Sequence, residues 1–139
     1  MRHLPFLLIA LLLVACQAQT SGSTGQPVSA GGGTYENVSP VELDIMLANK
    51  DFVFVNVHIP FEGQIAGTDL SIPYDQITQP ASLAQLPSDK NAKIVLYCRS
   101  GRMSEIAADA LVALGYTGIW NLDGGMLQWE QEGFEILGN

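Results

Sequence analysis

The fold is decided by the stretch Lys93-Ile94-Val95-Leu96-Tyr97-Cys98-Arg99-Ser100-Gly101-Arg102-Met103-Ser104. An apolar run ends in a cysteine, a short loop rich in arginine and glycine comes next, and a helical pattern begins at once. This order predicts that Cys98 lies at the C-terminal end of a buried strand and at the N-terminus of a helix. Backbone N–H groups and the positive end of the helix dipole converge at such a place and favour a thiolate. We therefore expect Cys98 to be acidic, partly exposed and nucleophilic, with a buried structural cysteine as the alternative.

Strands and helices alternate on both sides of this stretch. The capping box Ser39-Pro40-Val41-Glu42 predicts a helix that runs to about Asn49. Apolar runs predict strands over 52–57, 70–73, 93–97 and 118–122, and the intervening patterns predict helices over 80–86, 104–114 and 124–132. Such an alternation favours a parallel sheet covered by helices on both faces. In folds of this kind the ligand site lies beyond the carboxyl ends of the strands, where Cys98 stands.

The first residues are not typical of a folded domain. A short basic start precedes an apolar run from Leu4 to Ala15, which has the length of a signal segment rather than of a finished transmembrane helix. The run ends in Leu13-Val14-Ala15-Cys16, which resembles the lipobox of bacterial lipoproteins. This resemblance implies a signal peptide over 1–15, lipidation of Cys16, and an extracytoplasmic protein that is anchored to a bacterial cell membrane. A plain or an uncleaved signal peptide is the alternative.

The segment 16–33 differs in composition from the rest of the chain. Residues 17–33 carry no charge and are rich in Gly, Ser and Thr. A segment that buries so little cannot offset the entropy of ordering, so we expect a flexible tether that reaches about 20–25 Å. The remaining residues, 34–139, are numerous enough for one domain with its own core.

Charge and cysteine count restrict the function. All fourteen acidic residues lie in 34–139, against five basic ones, which gives this part a net charge of about −9. So acidic a domain is a poor binder of nucleic acid. If Cys16 carries lipid, Cys98 has no partner for a disulfide within the chain. No His/Cys cluster has the spacing of metal ligands, so we expect no metal site.

The chain resembles a single rhodanese domain over about Tyr35 to Phe134. The residues that carry the resemblance are the Cys98 stretch and, in order, Val55-Asn56-Val57-His58…Glu62…Gly67…Ile72-Pro73, Ala107-Ala108…Leu114-Gly115-Tyr116 and Asn121-Leu122-Asp123-Gly124-Gly125-Met126…Trp129. The resemblance implies an α/β, three-layer domain with a mostly parallel five-stranded sheet and helices on both faces. It also implies that Cys98 accepts a sulfane sulfur as a persulfide and passes it to a nucleophile, a reaction for which neither a metal nor an organic cofactor is expected.

The same resemblance implies the roles of the residues after Cys98. The backbone from Arg99 through Ser100, Gly101 and Arg102 to Met103 is expected to bind substrate by surrounding the outer sulfur. Attack on thiosulfate needs a thiolate and a positive potential, and the leaving sulfite carries charge that Arg99 or Arg102 could stabilise. The expected donor is a small sulfur-containing anion such as thiosulfate or a polysulfide. The expected acceptor is cyanide or a thiol, on a small molecule or a thioredoxin-like protein, and the protein is expected to be a monomer.

The sequence departs from the family pattern at several positions. Met103 stands where an arginine is common, and Asn56 and His58 stand where an aspartate and an arginine are usual. Gln64 stands where a histidine is usual. We interpret Asn56 and His58 as structural residues and expect the usual ion network to be reduced to His58 with Glu62.

Two alternative functions remain open. A phosphatase or arsenate reductase of this type carries an arginine six places after the cysteine, and Ser104 occupies that place here. The other alternative is a non-catalytic or redox-sensing binding module at the cell envelope, which would tolerate the substitutions at Asn56, His58 and Met103. The intact Cys98 favours chemistry over this second alternative.

Overall fold

The computed structural model describes residues 25–138. In chain order its elements are β1 (Gln26–Ala30), β2 (Gly33–Val38), α1 (Pro40–Ala48), β3 (Val53–Asn56), β4 (Leu70–Ser71), a 3₁₀ turn (Tyr74–Gln76), α2 (Pro80–Leu83), β5 (Ile94–Tyr97), α3 (Arg102–Ala113), β6 (Ile119–Leu122) and α4 (Gly125–Gln131). The expected signal peptide over 1–15, the lipidation site at Cys16 and the first part of the expected tether lie outside the described residues.

The six strands of this range form one sheet in the order β1-β2-β6-β5-β3-β4. Every neighbouring pair is parallel except β1 with β2. The prediction of an α/β fold with a mostly parallel sheet is therefore confirmed, and the parallel part has the five strands expected. The total strand count was wrong by one, because β1 adds an antiparallel strand at the edge.

β1 also corrects the predicted extent of the tether. Gln26 lies opposite Asn37 and Ala30 opposite Gly33, in a hairpin closed by two glycines. The prediction of a flexible segment through residue 33 was wrong for 26–33, and the domain begins before residue 34. This segment has too few apolar residues to form a core by itself. It is ordered because β2 supplies hydrogen-bond partners for its backbone. Its apolar residues Val28 and Ala30 pack against the core.

Helices cover both faces of the sheet, as predicted. One hydrophobic cluster joins Leu96 of β5 to Leu111 of α3, and the other joins Val95 of β5 to Leu43 of α1 and Trp129 of α4. β5 contributes to both clusters because successive side chains of a strand point to opposite faces. Burial of a side chain such as Leu111 stabilises the fold by roughly 1.5–3 kcal/mol.

Two helices begin at local features of the sequence, a capping box in α1 and a glycine turn in α3. α1 begins at the predicted capping box, in which the Ser39 hydroxyl accepts from the backbone N–H of Glu42 and the Glu42 carboxylate accepts from that of Ser39. α3 begins at Arg102, two residues earlier than predicted, since the chain turns sharply at Gly101. No helix within residues 25–138 combines the length and the apolar character needed to cross a bilayer.

Candidate active site

Cys98 lies where the sequence predicts, between the last residue of β5 and the loop that leads into α3. Its Sγ accepts a hydrogen bond from the backbone N–H of Gly101, with N and Sγ 3.1 Å apart. The loop therefore folds back over the sulfur and directs a backbone dipole at it. An N–H group and a helix N-terminus on one sulfur atom stabilise negative charge there.

The side chain of Cys98 is buried, with only 1% of the residue exposed. The prediction of a partly exposed thiol was therefore wrong. The reason is the alternation along β5, which turns Leu96 and Cys98 toward the same face as α3, so that Cys98 belongs to the hydrophobic cluster with Leu111.

Ser104 is a polar neighbour of the sulfur whose role was not predicted from the sequence. Its Oγ lies 3.5 Å from Cys98 Sγ and donates a hydrogen bond to the carbonyl of Gly101 at 2.9 Å. Ser104 is fully buried, so its single hydroxyl proton is shared between these two acceptors. The signal was present in the sequence, because position 104 lies one turn into the helix after the cysteine.

The carbonyl side of the Cys98 loop is held by the N-terminus of α4. The backbone N–H of Met126 donates to the carbonyl of Cys98, and that of Leu127 donates to the carbonyl of Arg99, both at 2.9 Å. This contact requires Gly125, since a Cβ there would lie 2.5 Å from the carbonyl oxygen of Cys98. The Gly124-Gly125 turn therefore lets the start of α4 approach the backbone of the Cys98 loop closely.

Arg99 is engaged in an ion pair that the sequence did not reveal. Its Nη1 lies 2.8 Å from Oε1 of Glu62, whose other oxygen lies 2.5 Å from Nε2 of His58. The hydrogen bond from Arg99, followed by that from His58, lowers the pKa of the Glu62 carboxyl. The expected pairing of His58 with Glu62 is present, and the guanidinium of Arg99 is committed to the same carboxylate.

The other predicted loop residues differ in their surroundings. Ser100 and Arg102 are exposed, and the side chain of Arg102 forms no ion pair with any residue of 25–138. Met103 is half-buried and packs against the cluster that contains Cys98. Of the five predicted binding residues, Gly101 is the one for which the structure shows a hydrogen bond to the sulfur.

Asn56 is structural, as predicted. Its amide donates to the carbonyl of Gly63 at 3.1 Å, and its Oδ1 accepts from the backbone N–H of His58 at 3.0 Å. Asn56 is buried at the end of β3, so these bonds tie the loop that carries Glu62 to the sheet. They place the Glu62 carboxylate beside Arg99.

A cavity of about 400 Å³ opens beside this ion pair. Its wall contains Glu62, Arg99 and Glu130, and its apolar lining is Phe61, Met126, Leu127 and Ile136. No group of three or more potential metal-ligating side chains occurs within the described range. The cavity thus combines four apolar side chains with an edge of three charged ones.

Comparison with known proteins agrees with this architecture. The family model of the rhodanese-like domain matches residues 43–132. A tRNA uridine(34) hydroxylase of an Enterobacter species is 25% identical over 104 residues, which cover 72% of this chain but 30% of that protein. The chain thus spans about a third of the length of such curated relatives.

Solved structures show the same relationship over whole domains. A rhodanese-like domain protein from Staphylococcus aureus has a TM-score of 0.59 and 31% identity, covering 73% of this chain and 98% of its own. A rhodanese-related protein from Thermoplasma volcanium has a TM-score of 0.61 and 26% identity, covering 74% of this chain and 98% of its own. With the family match, the parallel sheet and the cysteine loop in agreement, this chain belongs to the rhodanese-like domain family.

Proposed function

We propose that the protein is a sulfurtransferase that moves a sulfane sulfur from thiosulfate or a polysulfide, through a Cys98 persulfide, to a thiol or to cyanide. The observation that carries the proposal is the hydrogen bond from the Gly101 N–H to Cys98 Sγ at the start of α3. The same N–H and dipole that stabilise a thiolate also stabilise the negative outer sulfur of a persulfide. A purely structural cysteine at the end of a strand would not need this loop.

The first half of the reaction loads the sulfur. The Cys98 thiolate attacks the sulfane sulfur of thiosulfate, the S–S bond of the donor breaks, and its electron pair leaves with sulfite. The products are the Cys98 persulfide anion and sulfite, so atoms and charge balance without an external oxidant. Ser104, which is close to the sulfur and buried, can donate to the negative charge in place of its bond to Gly101.

The second half releases the sulfur. An acceptor thiolate attacks the outer sulfur of the persulfide, the Cys98 S–S bond breaks, and the Cys98 thiolate returns. The acceptor leaves as a persulfide, or as thiocyanate when cyanide is the nucleophile. Every group needed for this cycle belongs to the chain or to its two substrates, and it requires no resident cofactor.

Location at the cell envelope is a separate part of the proposal, supported by residues 13–16. A lipid on Cys16 would anchor the protein to the membrane from outside the cytoplasm. Replacing Cys16 with alanine in the native host should leave the apolar segment 1–15 attached to the chain. Mass spectrometry of the N-terminal peptide measures this, and identical processing of the variant would contradict lipidation.

The test of sulfur transfer is the intact mass of the full chain before and after treatment with thiosulfate or polysulfide. The parent protein should gain one sulfur atom, and cyanide should remove it with formation of thiocyanate. A Cys98→Ser variant should gain none, and a Cys16→Ser variant should behave as the parent does. A parent chain that gains no sulfur, or a Cys98→Ser chain that gains as much as the parent, would contradict the proposal.

One observation favours a second candidate, the non-catalytic or redox-sensing binding module. Cys98 is buried and Arg99 is already paired with Glu62, so the resting site offers little to a free anion. In this case the mass of the chain stays constant with every sulfane donor while the fold is intact. The same mass measurement therefore separates the two candidates.

A further inference from the structure

The hydroxyl of Ser104 lies between two acceptors. It donates to the carbonyl oxygen of Gly101, with 2.9 Å between the two oxygens, and its Oγ is 3.5 Å from Cys98 Sγ, within reach of an O–H···S hydrogen bond. A serine hydroxyl has a single proton, so it serves one of the two acceptors at a time. Because Ser104 is fully buried, bulk water does not compete for that proton. The charge on the sulfur therefore determines which acceptor receives it.

The carbonyl of Gly101 does not depend on the serine. Its oxygen also accepts the backbone N–H of Glu105 at 2.9 Å, in the first turn of α3. When the hydroxyl turns to the sulfur, this carbonyl keeps a hydrogen-bond partner, and no buried polar group is left unpaired. The exchange needs only a rotation about the Cβ–Oγ bond of Ser104.

The charge on Sγ differs between the two half-reactions of sulfur transfer. In the resting thiolate the negative charge is on Sγ, and the Gly101 N–H, with N and Sγ 3.1 Å apart, supplies one donor. In the persulfide the charge is on the outer sulfur, and Sγ, now bonded to both carbon and sulfur, is a weak acceptor. Negative charge returns to Sγ when the acceptor substrate takes the outer sulfur. A second donor on Sγ therefore contributes most in this discharge step.

We propose that Ser104 is a catalytic residue for discharge of the Cys98 persulfide, and that its hydroxyl moves from the Gly101 carbonyl to Sγ as the thiolate leaves. The inference rests on the proposed sulfurtransferase function and assigns the stabilisation of the leaving group to one side chain. The acceptor attacks the outer sulfur, the S–S bond breaks, and its electron pair stays on Sγ. Ser104 donates a hydrogen bond and keeps its proton. The products are the Cys98 thiolate and the sulfur-bearing acceptor, so atoms and charge balance.

The loading step does not need this hydroxyl. There the Cys98 thiolate is the nucleophile, and a hydrogen bond to Sγ weakens as the sulfur gives up its charge. Removing the bond destabilises the starting thiolate more than the transition state, which does not slow the step. Ser104 thus acts on one half-reaction, whereas a residue that only kept the loop in shape would affect both.

The test compares Ser104→Ala with Ser82→Ala in the full chain, with Cys16→Ser in every variant so that Cys98 is the sole thiol. Ser82 is the matched control, since it is also buried but lies on α2. Loading is timed by intact mass after mixing with thiosulfate. Discharge is timed after removal of the donor, from the thiocyanate that forms when cyanide is added. Both steps are measured at about pH 9.5, where an ordinary thiol is mostly ionised.

Ser104→Ala should slow discharge by about ten-fold, the effect of losing one hydrogen bond to a charged atom. Its loading rate should stay within about two-fold of the parent rate. Ser104→Thr keeps the hydroxyl and should discharge within about three-fold of the parent. Ser82→Ala should change neither step. Thermal unfolding of each variant measures whether the fold is intact, as expected for Ser104→Ala because the Gly101 carbonyl retains the Glu105 N–H.

The outcomes separate this inference from the function on which it rests. If Ser104→Ala slows both half-reactions equally, or slows neither, Ser104 does not stabilise the leaving group, and the sulfurtransferase proposal stands. If the parent gains no sulfur, both proposals are overturned. A folded Ser104→Thr chain that discharges as slowly as Ser104→Ala would also contradict the inference. If the threonine variant does not fold, the ratio of the two rates in Ser104→Ala decides by itself, and a selective loss of discharge would establish the role of the hydroxyl.

Discussion

Replacing Gly125 with alanine should destabilise the protein far more than the same change at Gly133. Both glycines have a positive φ, +58° at Gly125 and +90° at Gly133. A Cβ on Gly133 would meet nothing within 4 Å, whereas one on Gly125 would lie 2.5 Å from the Cys98 carbonyl oxygen and 2.7 Å from that of Arg99. Comparing the stabilities of Gly125→Ala and Gly133→Ala therefore separates the cost of backbone strain from the cost of the steric clash with the Cys98 loop.

The magnitude can be worked out from these contacts. An alanine at positive φ costs about 1 kcal/mol at either position. At Gly125 the loop and α4 must also move apart, which breaks the hydrogen bonds from Met126 to Cys98 and from Leu127 to Arg99 at about 1 kcal/mol each. We expect the free energy of unfolding to fall by about 3 kcal/mol for Gly125→Ala and by about 1 kcal/mol for Gly133→Ala.

Urea unfolding of the full chain measures the difference. A gap of about 2 kcal/mol corresponds to midpoints about 1 M urea apart for a domain of this size. Gly125→Ala should also slow sulfur loading, since the carbonyl side of the Cys98 loop is no longer held, and Gly133→Ala should not. Midpoints that agree within experimental error would refute the close approach as the reason for glycine at position 125.

Three further predictions test the surroundings of the site. In a Cys16→Ser background, iodoacetamide should modify Cys98 of the folded protein at least about 50-fold more slowly than in urea, because the thiol is buried, and equal rates would contradict that burial. Asn56→Asp should lower the free energy of unfolding by about 2–3 kcal/mol at neutral pH, since a carboxylate cannot donate to the Gly63 carbonyl, and an unchanged thermal midpoint would count against it. The folded-state pKa of Glu62 is lowered by Arg99 and then His58, so its stabilising contribution is present above about pH 4.5 and is lost as the pH falls through the folded-state pKa. Thermal midpoints of the parent and Glu62→Gln should therefore converge as the pH falls below about 4.5, and a difference that stays constant would contradict this prediction.

The helices and strands that could be predicted are those whose own residues form a clear sequence pattern. The capping box at Ser39 predicted α1 and its start, and the unbroken apolar run before Cys98 predicted β5. β1 was missed because Gln26–Ala30 has the composition of a linker. Its order comes from pairing with β2, and a pairing partner cannot be read from composition.

The candidate site likewise has one part that could be predicted from the sequence and one that could not. Cys98, its loop and α3 are contiguous in sequence, so their arrangement could be predicted. The burial of Cys98 depends on α3 packing over the loop, and the Arg99–Glu62 pair joins residues 37 positions apart. Contacts between residues so far apart in sequence depend on the order of the strands in the sheet, which places the ends of β3 and β5 side by side. Ser104 could have been found from its position one turn into α3.

The antiparallel direction of β1 determines where the polypeptide enters the domain. Gln26 begins β1 opposite Asn37, near the end of β2, and it lines a cavity together with Asp123, which lies just after β6. The chain therefore enters β1 at the same rim of the sheet as Cys98. From Cys16 to Gln26 a fully extended chain reaches at most about 35 Å. A lipid on Cys16 would thus hold the rim of the sheet at which β1 begins within about 35 Å of the membrane surface.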